Sequence, residues 1–209
     1  MRRLRHGADP ASAPADELAA VYDKLFSTGK YEQHRQDFEA LQRGEPRWAR
    51  YRALLLRRIE RRVRGRRLFE VGGGTGGFGV LARSRGWDYA DFDISEVAAD
   101  FARRLGHKAT VFPADSTPPL GQAQADVVTA WEVIEHVWEV QDYLQALHRG
   151  LRPGGLLVMS TPNWRYVDRL AHWGPLSSPP IHCNFFDRDS LSSPIFRRQS
   201  DQNWPAARV

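Results

Sequence analysis

The stretch from Leu68 to Gly77, LFEVGGGTGG, constrains the possible fold of this chain more than any other. A short apolar run, Arg67–Val71, leads into five glycines within the six positions 72–77. Glycine at that density fits where the backbone must turn sharply or let another group come close. From Phe78 to Arg85 the spacing becomes helical, and Gly86 closes it. A strand, a glycine turn and a helix in succession point free amide N–H groups out of the turn, toward a ligand.

The alternation continues downstream. Strands are expected at Asp88–Asp93, His107–Phe112, Asp126–Trp131 and Leu156–Ser160. Helices are expected over Phe78–Arg85, from a Ser95 cap to Leu105, and over Glu132–Leu151. The pattern predicts an α/β fold: a Rossmann-like, doubly wound, mostly parallel sheet with helices on both faces. Upstream, Asp16–Phe26, Tyr31–Leu41 and Arg47–Val63 have helical spacing. Four segments result. Residues 1–14 are an expected disordered tail and 15–65 a helical segment. Residues 66–162 form the core, and 163–209 an irregular closing segment with a short helix from Asp187.

Of the chain's 209 residues, 42% are hydrophobic and 26% charged, which describes an ordinary globular protein. No apolar run approaches the roughly 18 residues of a membrane span, and the first residues lack the apolar centre of a signal peptide. Cys183 is the single cysteine, so no internal disulfide can form, and a cytoplasmic location is expected. The net charge of +5 is concentrated between Arg43 and Arg67. Aromatics are not interleaved there as stacking platforms, so the charge reads as a solvated helix face, not a nucleic-acid surface.

Gly72, Gly74 and Gly77 satisfy GxGxxG, which keeps a nicotinamide-dependent oxidoreductase in view. The same loop also reads ExGxGxG, through Glu70, Gly72, Gly74 and Gly76. That form resembles the first motif of class I S-adenosylmethionine-dependent methyltransferases. The resemblance extends through Asp93-Ile94-Ser95, Asp115-Ser116, Trp131-Glu132-Val133-Ile134-Glu135-His136 and the run LHRGLRPGGLLVMSTPN. With Tyr22 and Tyr31 upstream and HCNFFDRDSL downstream, it is similar to the small bacterial enzymes related to the ubiquinone-biosynthesis O-methyltransferase.

The resemblance implies S-adenosyl-L-methionine as cofactor. Glu70, Gly72, Gly74, Gly76, Asp93, Ile94, Asp115, Ser116 and Trp131 are the implied binding residues. It further implies methyl transfer to a small-molecule acceptor, with oxygen favoured. Arg50 or Arg52 is a candidate clamp for the cofactor's carboxylate, and segment 164–173 a candidate cover for the acceptor.

Glu132, Glu135 and His136 begin where strand four ends, and ligands of doubly wound sheets bind at the carboxyl ends of the strands. On an α-helix the three would share one face. The spacing ExxEH resembles two metal-dependent branches of the family, the ubiquinone O-methyltransferases and the small-RNA 2′-O-methyltransferases. That resemblance implies a divalent cation (Mg, Mn or Zn) at Glu132, Glu135, His136 and His182, with His172 as a weaker candidate. Without metal, His136 is the candidate base, with Glu132 and Glu135 beside it. Both versions stay open at this stage, as does a structural role for the three. His6, His34, His107 and His148 carry no motif and are expected at the surface or in packing.

Class I methyltransferases usually end in an antiparallel strand pair, and Ile195–Val209 does not resemble it. The chain is therefore expected to lack that pair. It would then be a shortened copy, a minimal form, or a homodimer that completes its sheet edge between subunits. A catalytically impaired protein that binds cofactor or a partner is the alternative function.

Overall fold

The computed structural model describes residues 15–27, 36, 39, 46–165 and 182–191. The expected tail, the Tyr31–Leu41 helix, His172 and the chain beyond Leu191 lie outside the described residues, apart from positions 36 and 39. Two helices come first, α1 (Ala15–Ser27) and α2 (Pro46–Glu60). Strands and helices then alternate: β1 (Arg67–Val71), α3 (Gly77–Ser84), β2 (Asp88–Asp93), α4 (Glu96–Arg104) and β3 (Lys108–Val111). β4 (Ala125–Trp131), α5 (Val140–Gly150), β5 (Leu151–Ser160) and α6 (Arg188–Leu191) follow.

The sheet order is β3-β2-β1-β4-β5, and every pairing is parallel. The chain moves outward one way through β2 and β3, then returns past β1 to β4. The carboxyl ends of β1 and β4 therefore flank the point where the strand order reverses, the place such sheets leave for a ligand. Among the described residues no antiparallel strand pair follows β5.

Both sheet faces are covered, as a parallel sheet requires. On one, Leu56 and Ile59 of α2 and Phe78 and Ala82 of α3 pack with Leu68, Tyr89 and Val127. On the other, Tyr143, Leu144 and Leu147 of α5 pack with Val71, Phe92 and Val128. Adjacent Val127 and Val128 serve opposite faces because successive strand side chains alternate. α4 begins with Ser95, whose hydroxyl accepts the Ala98 amide at 3.1 Å. The outer face of α2 carries the basic run: Arg50, Arg57 and Arg58 are exposed, together with Tyr51 and Leu54. No described helix is long and apolar enough to cross a membrane.

One expected element is corrected. The helix anticipated over Glu132–Leu151 is confined to Val140–Gly150. Glu132 has a φ of 54°, in the left-handed region that non-glycine residues seldom adopt. Its N–H donates to Ser160 O at 3.0 Å, which extends the sheet one residue and starts the turn away from it. Ile134–His136 is then a single 3₁₀ turn, with His136 N–H donating to Val133 O at 2.9 Å. Glu132, Glu135 and His136 therefore do not share a helical face. Glu135 is buried, His136 half-buried and Glu132 exposed. β5 also starts earlier than expected, at Leu151, with a register irregularity between Ala125 and Val127.

Candidate functional site

The glycine loop follows β1 with Gly72, Gly74 and Gly76 at positive φ. At Gly72 a Cβ would also meet the Val133 side chain at 2.6 Å, and at Gly73 it would meet the Asp91 carboxyl at 2.4 Å. Gly72 thus needs glycine for space as well as conformation, and Gly73 for space. Two carboxylates of β2 hold the loop: Gly73 N–H donates to Asp91 Oδ1 at 3.1 Å, and Gly74 N–H to Asp93 Oδ2 at 3.0 Å. His107 supports it from below, with Nε2 3.0 Å from Gly76 O and the ring edge-on to Tyr89. That is the packing role expected of a histidine without a motif.

Glu70 is fully buried at the end of β1, with the Tyr89 hydroxyl donating to Oε2. Burial pushes its carboxyl up to about 7, opposed by the Tyr89 hydrogen bond and the Arg52 charge. Asp91, paired in register with Glu70, is held well above the usual carboxylate range by burial and by the charges of Asp93 and Glu70. Asp93 is raised by burial, opposed by amide hydrogen bonds from Ser95, Gly74 and Ile94. Three buried acids thus converge beneath one loop.

A cavity of about 350 Å³ opens over this loop. Glu70, Gly72, Gly74, Asp93, Ile94 and Ser116 line it, and so do Trp131, Glu132 and His136. Arg52 is in the wall, whereas Arg50 is exposed and outside it. Asp115 is exposed, and its neighbours Ala114 and Ser116 supply the lining there. Gly76 turns the loop without lining the cavity. Leu18, Tyr22, Phe92, Phe112 and Tyr143 complete much of the wall. Spacing rules gave no signal for Leu18 or Tyr143, and Tyr22 was reachable only through the resemblance of its segment.

His136 belongs to a cluster behind the cavity wall: Glu135, His136 and His182 each place a ligand atom within 4.8 Å of the others. The imidazoles of His136 and His182 meet at 4.7 Å between centroids, and His136 Nε2 lies 3.8 Å from Glu135 Oε1. Tyr22 meets the His136 ring edge-on at 5.7 Å. Glu132 does not join this cluster.

The segment carrying His182 is fixed by backbone bonds. Cys183 and Asn184 N–H both donate to Glu135 O, at 2.8 and 3.0 Å, and Asn184 Nδ2 donates to Val137 O. Thr161 Oγ1 donates to Glu135 Oε2 at 3.0 Å. Burial pushes the Glu135 carboxyl up to about 7, with the Glu132 charge adding to the rise. Burial lowers His182, opposed by the Glu132 charge. Two imidazoles and one carboxylate form a donor set suited to a first-row divalent metal or to proton transfer.

Comparison with known proteins agrees with this architecture. A family profile described as a methyltransferase domain matches residues 39–194. A protein of Mycolicibacterium smegmatis named probable S-adenosylmethionine-dependent methyltransferase is 35% identical over 124 residues, 56% of this chain and 46% of its own length. The malonyl-[acyl-carrier protein] O-methyltransferase of Enterobacter lignolyticus is 30% identical over 184 residues, 87% of this chain and 69% of its own. The chain spans about half the length of the first curated relatives it matches. Among solved structures, the methyltransferase bound to the Haloferax volcanii Trm112 activator shares the fold. Its TM-score is 0.63 at 16% identity, over 85% of this chain and 74% of that one. Bacillus subtilis YcgJ gives 0.57 at 16% identity, over 70% and 66%. Matched over most of its length and folded as a doubly wound parallel sheet, this chain belongs to the class I S-adenosylmethionine-dependent methyltransferase family.

Proposed function

We propose that this protein transfers a methyl group from S-adenosyl-L-methionine to a hydroxyl oxygen of a small-molecule acceptor. The observation that carries the reading is a single cavity lined both by an acid-backed glycine loop and by His136, the imidazole that the Glu135–His136–His182 cluster presents to it.

The residues fit the cofactor. Gly72, Gly73 and Gly74 line the cavity with backbone and carry no side chain into it. Asp93 Oδ1 accepts Ser95 N–H at 2.9 Å and Oδ2 accepts Gly74 N–H at 3.0 Å, with Ile94 N–H beside them. Each oxygen keeps further acceptor capacity, enough for two vicinal ribose hydroxyls. Glu70 suits a cationic amino group, whose approach would favour its ionised form. Arg52 suits a carboxylate. Ile94 and Phe112 provide apolar surface for a purine, Ser116 a polar contact at its rim, and Trp131 a wall nearer the reacting end.

When bound, the cofactor supplies a methyl group already activated on a sulfonium. The protein's task is therefore alignment and removal of the acceptor proton. His136 takes that proton, and Glu135, 3.8 Å away, stabilises the charge formed on the ring. Glu135, His136 and His182 are also the residues that would hold a divalent cation, which would lower the pKa of an acceptor hydroxyl. Relatives named malonyl-[acyl-carrier protein] and ubiquinone-biosynthesis O-methyltransferases support oxygen as the target.

The test is transfer of labelled methyl to a panel of hydroxylated small molecules, with and without chelator. Loss on chelation with recovery on added manganese, zinc or magnesium assigns the cluster to a cation. Turnover indifferent to chelator but lost in His136→Ala assigns it to proton transfer. Binding of S-adenosylhomocysteine with no transfer to any acceptor overturns catalysis and favours a cofactor-binding protein.

A further inference from the structure

α1 lies outside residues 39–194, the span matched to the family, yet it contributes to the cavity wall. Leu18 and Tyr22 are in the cavity wall. Tyr22 rests edge-on against His136. One residue along, Asp23 Oδ1 accepts the Ser95 hydroxyl and, at 3.4 Å, the Val97 N–H at the start of α4. Ser95 in turn donates its own N–H to Asp93 Oδ1, and its hydroxyl accepts from Ala98. Adjacent residues of α1 thus engage two separate elements beside the chamber, Asp23 the start of α4 through a charged hydrogen bond and Tyr22 the turn after β4 through a ring contact.

A carboxylate is well placed at that helix start, where amide N–H groups and the helix dipole favour negative charge. It also puts a carboxylate near the buried Asp93, whose ionisation it opposes. The contact ties an element outside the family span to the loop residues that would face the ribose. Ser95 alone already caps α4, so the helix does not need Asp23 in order to form.

We propose that α1 is a gate over the cofactor chamber, latched by Asp23 onto the Ser95 end of α4. Cofactor exchange then requires this latch to open. The inference rests on the cofactor reading above and adds a role for residues that the reading leaves unused.

The test is stopped-flow tryptophan fluorescence of the full chain with S-adenosylhomocysteine, using Trp131 in the cavity wall as reporter. A gate that opens more often speeds entry and exit together. Asp23→Ala is expected to raise both the association and dissociation rates by about tenfold, as the loss of a hydrogen bond to a charged group implies. The dissociation constant then changes little. Asp23→Asn keeps an accepting oxygen and is expected to restore most of the wild-type rates. Tyr22→Leu, at the other contact, provides a second variant and is also expected to speed both rates. Weaker binding with an unchanged association rate would make Asp23 a simple support of Asp93 and overturn the gate. So would unchanged rates in folded Asp23→Ala and Tyr22→Leu. Failure of the wild-type chain to bind S-adenosylhomocysteine would instead remove the cofactor reading, and the gate with it.

Discussion

On the glycine-loop side of the cavity, Glu70, Gly72–Gly74 and Asp93 come from two neighbouring strands and the turn that follows the first of them. On the His136 side, the cluster joins a 3₁₀ turn after β4 to His182, which follows β5 at a distance in sequence. The first side is fixed by a ladder, since the register pairs Glu70 with Asp91 and Val71 with Phe92. The second is held by a few bonds to one peptide oxygen, that of Glu135, and by Asn184 on Val137. Ligand binding placed on the ladder-built side gains rigidity from the sheet. Chemistry placed on the other side depends on a segment that adds no strand to the sheet.

Substitutions on the two sides should therefore separate binding from turnover. The largest effect is expected from His136→Ala. Turnover should fall by roughly 10²- to 10⁴-fold, the usual worth of a positioned proton acceptor. S-adenosylhomocysteine affinity by calorimetry should stay near wild type. Loss of both together would break the division.

Asp93→Ala should do the reverse to affinity. Removing the proposed acceptor of two ribose hydroxyls is expected to cost about 3 kcal/mol or more, beyond a hundredfold in the dissociation constant. Calorimetry against the same ligand checks it, with the fold verified by circular dichroism.

Gly73→Ala pushes a methyl into the Asp91 carboxyl. A strained insertion of this kind should cost about 1–3 kcal/mol of stability. Asp91→Ala in the same chain should return part of that loss if the clash is its cause. Thermal melting of the single and double variants measures both.

The smallest effect sharpens the comparison through pH. Each side has one buried glutamate whose carboxyl lies near 7 in the folded chain, Glu70 and Glu135. Unfolded glutamate titrates near 4.3. Between those values the folded state binds more protons than the unfolded state, so each group's contribution to stability falls as pH rises from about 4.5 through 7. Glu135→Gln removes that slope. Its melting midpoint should gain a few degrees over wild type at pH 8 and little or nothing at pH 5. An equal change at both values would show that ionisation is not the cause.

Much of the fold was legible because its signals are local. β1 and β2 begin and end at the expected residues, and Ser95 caps α4 as its side chain predicts. Glu70, the glycines and Asp93 were legible for the same reason, since motif spacing and strand order place them together. The stretch after β4 was not. Its 3.6-residue spacing reads as a helix, but the sheet keeps Glu132 through Ser160 O and forces a left-handed residue and a 3₁₀ turn. Tertiary hydrogen bonding outweighs a short stretch's helical preference, which is worth only tenths of a kcal/mol per residue.

The sequence by itself determined the doubly wound parallel sheet, the glycine turn at its centre and the acids beneath that turn. Alternation of period, glycine's freedom and strand-end placement act over a few residues and need no partner from afar. Only the tertiary structure decided that Glu132 leaves the cluster while His182 joins it, that Arg52 and not Arg50 enters the wall, and that Leu18 and Tyr22 of α1 line the cavity while Asp23 bonds Ser95. These are contacts between segments far apart in the chain. Which of them form depends on how whole elements pack, and no residue spacing encodes that packing.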